Sequence, residues 1–208
     1  MATSNHIGGS GLTAIAGWSA YISAVASILG FVFIAVFITV GQPFGTLNDF
    51  FGGVVLGLSM IPMALALNKI CSPLNPGLSV LALVIGLVSM VILAAAAVMV
   101  ILKTFGVITF PEPRPGTGPF GVAAIAPGFL GVWLIIISYI GRQRSTFPNR
   151  LNWVGIVAGA GYVVSIIGFT LSGLEHPLVA VGGLVAAIAY PIWAIWLGRV
   201  LLANGGAA

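Results

Sequence analysis

The chain has 208 residues, of which 60% are hydrophobic and 5% are charged, with seven Lys or Arg against three Asp or Glu. An average soluble domain has about 25% charged residues, so this composition excludes a water-soluble protein and predicts an integral membrane protein. The net charge of +4 suggests nucleic-acid binding in a soluble protein, but here the basic residues lie between long apolar segments, so we expect them to set membrane topology and predict no nucleic-acid partner.

Six apolar segments are long enough to be transmembrane helices, since a helix needs about 20 apolar residues to cross the hydrocarbon core. No Lys or Arg precedes the first segment, so we expect it to be retained rather than cleaved as a secretory signal. We predict a single domain over residues 1–208, an all-α polytopic membrane bundle of six helices in which sequential neighbours are antiparallel. The predicted spans are 15–40, 50–69, 77–102, 120–141, 151–173 and 177–202.

The charged residues divide between two faces once six crossings are assumed. One face carries both chain ends and five basic residues, and the other carries two basic residues and all three acidic ones. Because Lys and Arg are enriched on the cytoplasmic side, we predict that both chain ends are cytoplasmic. The predicted inner residues are Lys69, Arg142, Arg144, Arg150 and Arg199, and the predicted outer ones are Lys103, Arg114, Asp49, Glu112 and Glu175.

Three of the predicted inner residues, Arg142, Arg144 and Arg150, are close together in one connection. They are expected to attract anionic lipid headgroups, at roughly 1 kcal/mol each. A purely topological role explains them equally well. Membrane lipids are therefore the first predicted partners of the chain.

Six antiparallel helices also form three consecutive hairpins, and the first and third hairpins resemble each other weakly. Ser27–Phe31 in the first helix matches Ser165–Phe169 in the fifth, and residues 52–70 align with 182–200. Repeated hairpins would be related by an axis along the membrane normal. Shared apolar composition explains these matches as well as a repeat does, so both interpretations stay open.

Each helix that returns across the membrane contains one internal proline. A proline removes a backbone donor and frees the carbonyl four residues earlier, and in lipid that carbonyl needs another partner. One hypothesis is a hinge or a small central cavity beside these prolines, with nearby hydroxyl groups as donors; the other is that the prolines only bend their helices. The residues of this candidate site are Pro62, Pro127, Pro191, Ser59 and Tyr190.

Small residues predict where helices contact one another. Gly53 and Gly57 form a GxxxG pattern in the second span, Gly155 and Gly159 form another in the fifth, and residues 94–97 are four consecutive alanines. Small side chains let helix backbones approach closely in lipid. We expect these positions to be helix contacts within the chain more than a dimer interface.

The residues that the chain lacks bear on its chemistry. No ionisable acid, base or histidine lies in the middle of a span, so neither a proton relay nor a voltage sensor is expected. His6 and His176 are predicted on opposite faces, which excludes bis-His haem ligation in the bundle. A nucleophile needs an adjacent base, and Cys71 has only Lys69 nearby in sequence. We expect no catalytic residue, no metal site, no cofactor and no enzymatic activity.

Three stretches resemble a family of bacterial multi-spanning membrane proteins of unknown function. Residues 147–159 read FPNRLNWVGIVAG, with a basic residue, Leu, Trp and small residues at the entry to a late helix. Residues 45–49, GTLND, and 61–67, IPMALAL, are similar to the same family. The resemblance implies a bundle of about six helices in the bacterial inner membrane, and it implies no activity.

The lack of mid-span charge and the many small contact residues favour a non-catalytic protein. The first hypothesis is an accessory or structural subunit of a larger membrane complex, whose partners are other membrane protein subunits. The alternative is a carrier or channel for a small neutral or lipophilic molecule, lined by the proline-bearing helices. A polar cavity beside the prolines would favour the carrier, and a large flat apolar patch would favour the subunit.

The predicted topology is tested with a reporter protein that fluoresces only in the cytoplasm. A fusion after Arg199 is expected to fluoresce, because the basic residues around it mark the inner face. The matched fusion after Lys103, on the opposite face, is expected to stay dark. A dark Arg199 fusion beside a bright Lys103 fusion would reverse the assignment.

Overall fold

The computed structural model describes residues 10–109, 119–143 and 145–205. Within these ranges the chain is helical and contains no strand. Six of its helices are long and apolar enough to cross a membrane, so the predicted all-α bundle is confirmed and the chain is an integral, multi-pass membrane protein. The helices are α1 (Ser10–Val40), α2 (Phe44–Cys71), α3 (Pro76–Thr104), α4 (Pro119–Gln143), α5 (Asn149–Ser172) and α6 (Pro177–Gly205).

The second helix is longer than predicted and less regular than the others. It begins at Phe44 rather than at residue 50, and its segment Asp49–Val55 is a π-helix between two α-helical parts. The early start follows from Gln42, whose Oε1 accepts hydrogen bonds from the backbone N–H and the hydroxyl of Thr46 at 3.3 and 3.1 Å. These bonds satisfy donors that a helix start leaves free. Asp49, predicted in a connection, therefore lies within the helix.

Turn residues set the start of α3 and the turn between α5 and α6. Asn75 caps α3 by accepting a bond from the N–H of Leu78 at 3.2 Å, with Pro76 in the first turn, where its missing N–H costs nothing. Gly173 ends α5 with φ of +74°, a left-handed conformation that favours glycine. Pro177 then begins α6 after one 3₁₀ turn.

The six helices form a closed ring. Each spanning helix packs against the next one along the chain, and α6 packs against α1. The start of α1 lies beside the end of α6, with Gly17 next to Gly198 and Leu202, so the two are antiparallel. We call the face with the start of α1, the end of α6 and residues 72–75 and 145–148 the terminal face. The face with residues 41–43, 105–109 and 173–176 is the far face.

Hydrogen bonds join four neighbouring pairs of helices in the ring. Oγ of Ser79 on α3 donates to Oδ1 of Asn68 on α2 at 2.7 Å, and Oγ of Ser89 on α3 donates to the carbonyl of Ala126 on α4 at 2.7 Å. Similar bonds join α5 to α6 and α6 to α1. Interhelical hydrogen bonds in membranes contribute about 0.6 kcal/mol on average. These bonds therefore add little to the stability of the ring. Their main effect is to fix the register between neighbouring helices.

Glycine positions bring the helix backbones together. A Cβ built at Gly57 on α2 would lie 2.8 Å from the carbonyl oxygen of Met90, and the neighbouring Gly53 lies against Cβ of Ala97 on α3. The predicted GxxxG pattern and the predicted alanine run are thus two sides of one contact. A Cβ built at Gly159 on α5 would likewise lie 2.5 Å from the carbonyl oxygen of Gly131 on α4. The expectation of contacts within the chain is confirmed.

The tryptophans lie where an amphipathic ring and a buried ring are expected. Trp18 and Trp153 are 63% and 47% exposed near the terminal face, as in an interfacial aromatic belt. Trp133 is fully buried and packs edge-on against Trp193 at 6.1 Å between ring centroids. Its mid-span position therefore reflects packing between helices.

The first and third hairpins cross at different levels. Gly30 lies against Gly52, whereas Gly168, which aligns with Gly30 in sequence, lies against Leu178. Gly182, which aligns with Gly52, does not meet Gly168. It lies against residues of α5 that are one to two turns before Gly168 in the sequence. The two hairpins share an antiparallel arrangement but not the contacts that the alignment pairs.

The glycine crossing between α5 and α6 gives a stability prediction. A Cβ at Gly161 would lie 2.7 Å from the backbone N of Ala186 and 2.9 Å from the carbonyl of Gly182, so Gly161→Ala must push α5 and α6 apart. Overpacking of this kind costs typically 1–3 kcal/mol, which exceeds the gain of roughly 1 kcal/mol in helix propensity. We expect a lower melting temperature in detergent.

The control for this prediction is Gly77→Ala. A Cβ at Gly77 would meet nothing within 4 Å, so this variant should melt no lower than the wild type. Equal melting temperatures for the two variants would contradict the role given to the α5–α6 crossing.

Candidate functional site

A cavity of about 190 Å³ lies inside the ring, and each of the six helices contributes to its wall. It occupies the half of the bundle nearer the far face, because its lining residues come from the end of α1 and the start of α2. Phe31, which lines it, is 42% exposed, so the cavity reaches the surface. Its apolar wall consists of Phe31, Leu56, Leu93, Pro127, Leu130 and Ala187.

Three polar side chains interrupt this apolar wall: Ser27 on α1, Asn48 on α2 and Tyr162 on α5. The side chains of Tyr162 and Ser27 are hydrogen-bonded to each other. Asn48 donates from Nδ2 to Oδ1 of Asp49 at 3.3 Å. The wall thus offers hydroxyl groups on one side and an amide on another, without an ionised group among its lining residues.

Large buried side chains separate the cavity from the terminal face. We call this layer the buried floor: Met60, Met63, Trp133, Tyr190 and Trp193, each at most 2% exposed. Its rings pack at centroid distances of 6.0 to 6.1 Å. On α2, α4 and α6 the floor residues lie nearer the terminal face than the cavity residues do. The floor therefore closes the end of the cavity that points toward the terminal face.

The predicted site residues lie at two levels, and only some meet. Pro127 and Ala187 both line the cavity. Pro191 has no backbone N–H, so the carbonyl of Ala187, four residues earlier, lacks its usual hydrogen-bond donor. Pro191 is buried next to Tyr190, which belongs to the floor. The structure therefore brings the prolines of α4 and α6 to the cavity and its floor.

The α2 residues of the predicted site lie outside the cavity lining. Pro62 lies level with the floor, and Leu58, the residue whose carbonyl it frees, is 54% exposed on the outer surface. Ser59 donates its hydroxyl to the carbonyl of Leu56 in its own helix at 3.0 Å. Neither Pro62 nor Ser59 is a lining residue of the cavity.

Tyr190 connects α6 to α1 rather than facing the cavity. Its hydroxyl donates to Oγ of Ser23 at 2.9 Å, and Ser23 in turn donates to the carbonyl of Ala20 at 2.9 Å. This chain of hydrogen bonds satisfies both hydroxyl groups in a dry part of the bundle, as buried polar groups require. Tyr190 is therefore a structural residue of the floor.

Sequence reasoning missed Ser27, Asn48 and Tyr162. A sequence pattern could have indicated Ser27, because Ser19, Ser23 and Ser27 repeat every four residues and so lie on one face of α1. All three are buried. Asn48 lay in a stretch predicted as a connection, so its place on a helix was not visible. Tyr162 is one of three aromatic residues in an apolar helix, and no sequence pattern distinguishes it from the other two.

The basic residues of the connection between α4 and α5 lie at the terminal face. Arg142 and Arg150 are exposed, and the Arg142 guanidinium lies 4.5 Å from the ring centre of Trp153, a cation–π contact at the level of the interfacial ring. Arg144 lies outside the described residues. The predicted contact of these arginines with lipid headgroups stays a prediction.

The chain matches no protein-family model, no curated protein and no solved structure. The resemblance of residues 45–49, 61–67 and 147–159 to a bacterial membrane protein family therefore stays an expectation. In the part of the chain that the structure describes, no group of three His, Cys, Asp or Glu side chains comes together. The absence of a metal, a cofactor and an enzymatic activity remains a prediction.

The Tyr190–Ser23 bond gives a second stability prediction. Tyr190→Phe removes the hydrogen bond between α6 and α1 and keeps the ring, so a loss of about 0.5–1.5 kcal/mol is expected. The matched control is Tyr139→Phe, because Tyr139 is half exposed. Unfolding followed in mixed micelles should separate the two variants, and identical unfolding midpoints would contradict the assigned role.

Proposed function

We propose that the protein binds a small neutral molecule in the cavity and acts as its carrier. One observation carries this proposal: a cavity to which all six helices contribute, which reaches the surface beside Phe31 and is closed toward the terminal face by the buried floor. A bundle that only supports other subunits has no need of such a space, because close packing is favourable wherever side chains can achieve it.

The size of the cavity limits the ligand. Its volume of about 190 Å³ is somewhat larger than the roughly 150 Å³ of an apolar protein cavity that holds benzene. A molecule built on one six-membered ring, with one or two substituents, is the expected size. Waters alone would find few partners there, since each needs two to four polar groups and the wall is mostly apolar.

The wall also argues for a neutral ligand. A charged group moved from water into this wall would lack an opposite charge among the lining residues. Such unpaired burial costs several kcal/mol or more. A neutral molecule with an apolar body fits the leucines and Phe31, and its polar group fits Ser27, Asn48 or Tyr162.

The closed floor and the prolines favour a carrier over an open channel. Tryptophan and methionine side chains fill the bundle between the cavity and the terminal face. Passage requires these side chains to separate, and Pro62 and Pro191 interrupt their helices at this level. A carrier that opens to one face at a time is expected to be closed on the other side in this way.

The role of an accessory subunit, which was the first hypothesis from the sequence, is the second candidate function. Each spanning helix already has two helical neighbours in the ring, so the bundle is complete without a partner. The outward surface is apolar, with residues such as Ile22, Val84 and Ile188 exposed, and lipid satisfies such a surface as well as another protein does. Membrane lipids are therefore the partners that the proposal needs.

Photolabelling with phenyl azide tests the proposal in lipid nanodiscs. The wild type is expected to show saturable labelling, with adducts mapped by mass spectrometry to cavity residues such as Tyr162. In Gly183→Leu the new side chain enters the cavity, because a Cβ there meets only Oγ of Ser165 at 3.9 Å. Saturable labelling should fall about tenfold or more, equivalent to roughly 1.4 kcal/mol of binding free energy.

The matched control is Ala180→Leu, which adds the same side chain to an exposed position of α6. Its labelling should equal that of the wild type. If the wild type shows only unsaturable labelling, or if Gly183→Leu leaves the cavity adducts unchanged, the protein does not bind its ligand in this cavity.

A further inference from the structure

We infer that the cavity selects ligands carrying a hydrogen-bond donor, namely a neutral alcohol or phenol, through Oδ1 of Asn48, and that Asp49 positions this oxygen. The inference rests on the proposed function and names its ligand class. Asn48 would be a specificity-determining residue, and Asp49 a positioning residue that does not touch the ligand.

The Asn48 amide is oriented by its neighbour Asp49. Its Nδ2 donates to Oδ1 of Asp49 at 3.3 Å, and a carboxylate can only accept. One of the two N–H groups of the amide is thereby bonded to Asp49, and this bond orients the amide with its carbonyl oxygen on the side away from Asp49. That side is the cavity, of which Asn48 is a lining residue.

Two glycines set the space around this oxygen. Oδ1 of Asn48 lies 3.3 Å from the position that a Cβ would occupy at Gly52, and 3.7 Å from the position that a Cβ would occupy at Gly30. Because these two residues are glycines, no side chain covers the oxygen where α1 and α2 cross. Among the described residues none donates a hydrogen bond to it, whereas Oδ1 of Asn68 accepts from Ser79 at 2.7 Å and Oδ1 of Asn75 accepts from Leu78.

The π-helical segment supports the same assignment. Asp49 begins this segment, which runs to Val55, and π-helical turns occur frequently at functional sites. Asn48, Gly52 and Leu56 all line the cavity. Gly52 lies within the π-helical segment, and Asn48 and Leu56 directly flank it, so the cavity wall of α2 is centred on the irregular turn.

The other polar groups discriminate less between ligands. Ser27 and Tyr162 carry hydroxyl groups, and a hydroxyl both donates and accepts. Either group can therefore serve an alcohol, an ether or a ketone. An amide oxygen only accepts, so Asn48 favours a ligand that brings its own O–H.

The experiment compares 3-azidophenol with 3-azidoanisole, which differ in whether the oxygen can donate. Both are photolabelled into the wild type and variants in nanodiscs, and the labelling that Gly183→Leu abolishes is counted as specific. In the wild type the phenol should bind about three- to tenfold tighter, as one net hydrogen bond predicts. The quantity compared between proteins is the ratio of phenol affinity to anisole affinity. The two probes partition differently into lipid, but this difference is the same for every protein and so cancels in the comparison.

In Asn48→Leu the ratio should fall to about a third of its wild-type value or less, while phenyl azide still binds. Asp49→Ala should lower the ratio because the amide is free to turn, and Asp49→Asn should restore it because its oxygen still accepts from Asn48. Ser59→Ala is the control on the same helix, since Ser59 bonds only within α2, and it should keep the wild-type ratio.

The outcomes separate the two proposals. A wild-type protein that binds phenyl azide in the cavity, with a phenol ratio unchanged in Asn48→Leu, overturns the inference and leaves the proposed function standing. A wild-type protein without saturable labelling by any probe overturns the proposed function itself. If Asn48→Leu does not fold, equal ratios in Asp49→Ala and Asp49→Asn overturn the inference.

Discussion

Close backbone contact at glycine is the constraint on which the rest of this structure depends. Lipid gives two apolar helices no hydrophobic reason to associate, so dispersion at short range has to hold them. The chain meets this requirement where Gly131 faces Gly159 and where Gly161 faces Gly182. Gly17 beside Gly198 closes the ring between the first and last helices. The interhelical hydrogen bonds then set the register that these contacts allow.

The same use of small residues explains why a cavity lies in one half of the ring and not in the other. Toward the terminal face, Trp133 and Trp193 fill the axis of the bundle. Toward the far face, the corresponding positions of α6 are Gly183 and Ala187, and α1 and α2 meet at Gly30 and Gly52 without side chains. The helices cannot collapse into this space, because their separation is fixed by the crowded half. The cavity is therefore a consequence of side-chain size along otherwise similar helices.

The sequence predicted the fold well and the cavity only in part, for physical reasons. Apolar length determines a crossing almost alone, so the number and order of helices followed directly. The start of α2 did not, because Gln42 supports an extra turn through side-chain bonds to Thr46, and such a cap depends on geometry. Pro127 was a candidate for a hinge or a cavity wall, because a missing donor is visible in sequence, although a simple bend explained it equally well. Asn48 was not, because its role depends on a neighbouring helix having glycine at position 30.

The irregular features of the bundle concentrate in α2, and this bears on how the floor opens. This helix contains the π-helical segment, Pro62 and the two methionines of the floor. Methionine is unbranched and adapts its shape readily, whereas Trp133 and Trp193 lie locked edge-on across α4 and α6. Separating the floor at Met60 and Met63 disturbs fewer fixed contacts than separating it at the tryptophans. A carrier cycle in this ring is therefore expected to move α2 against the other five helices, and the cavity wall that Asn48 provides moves with it.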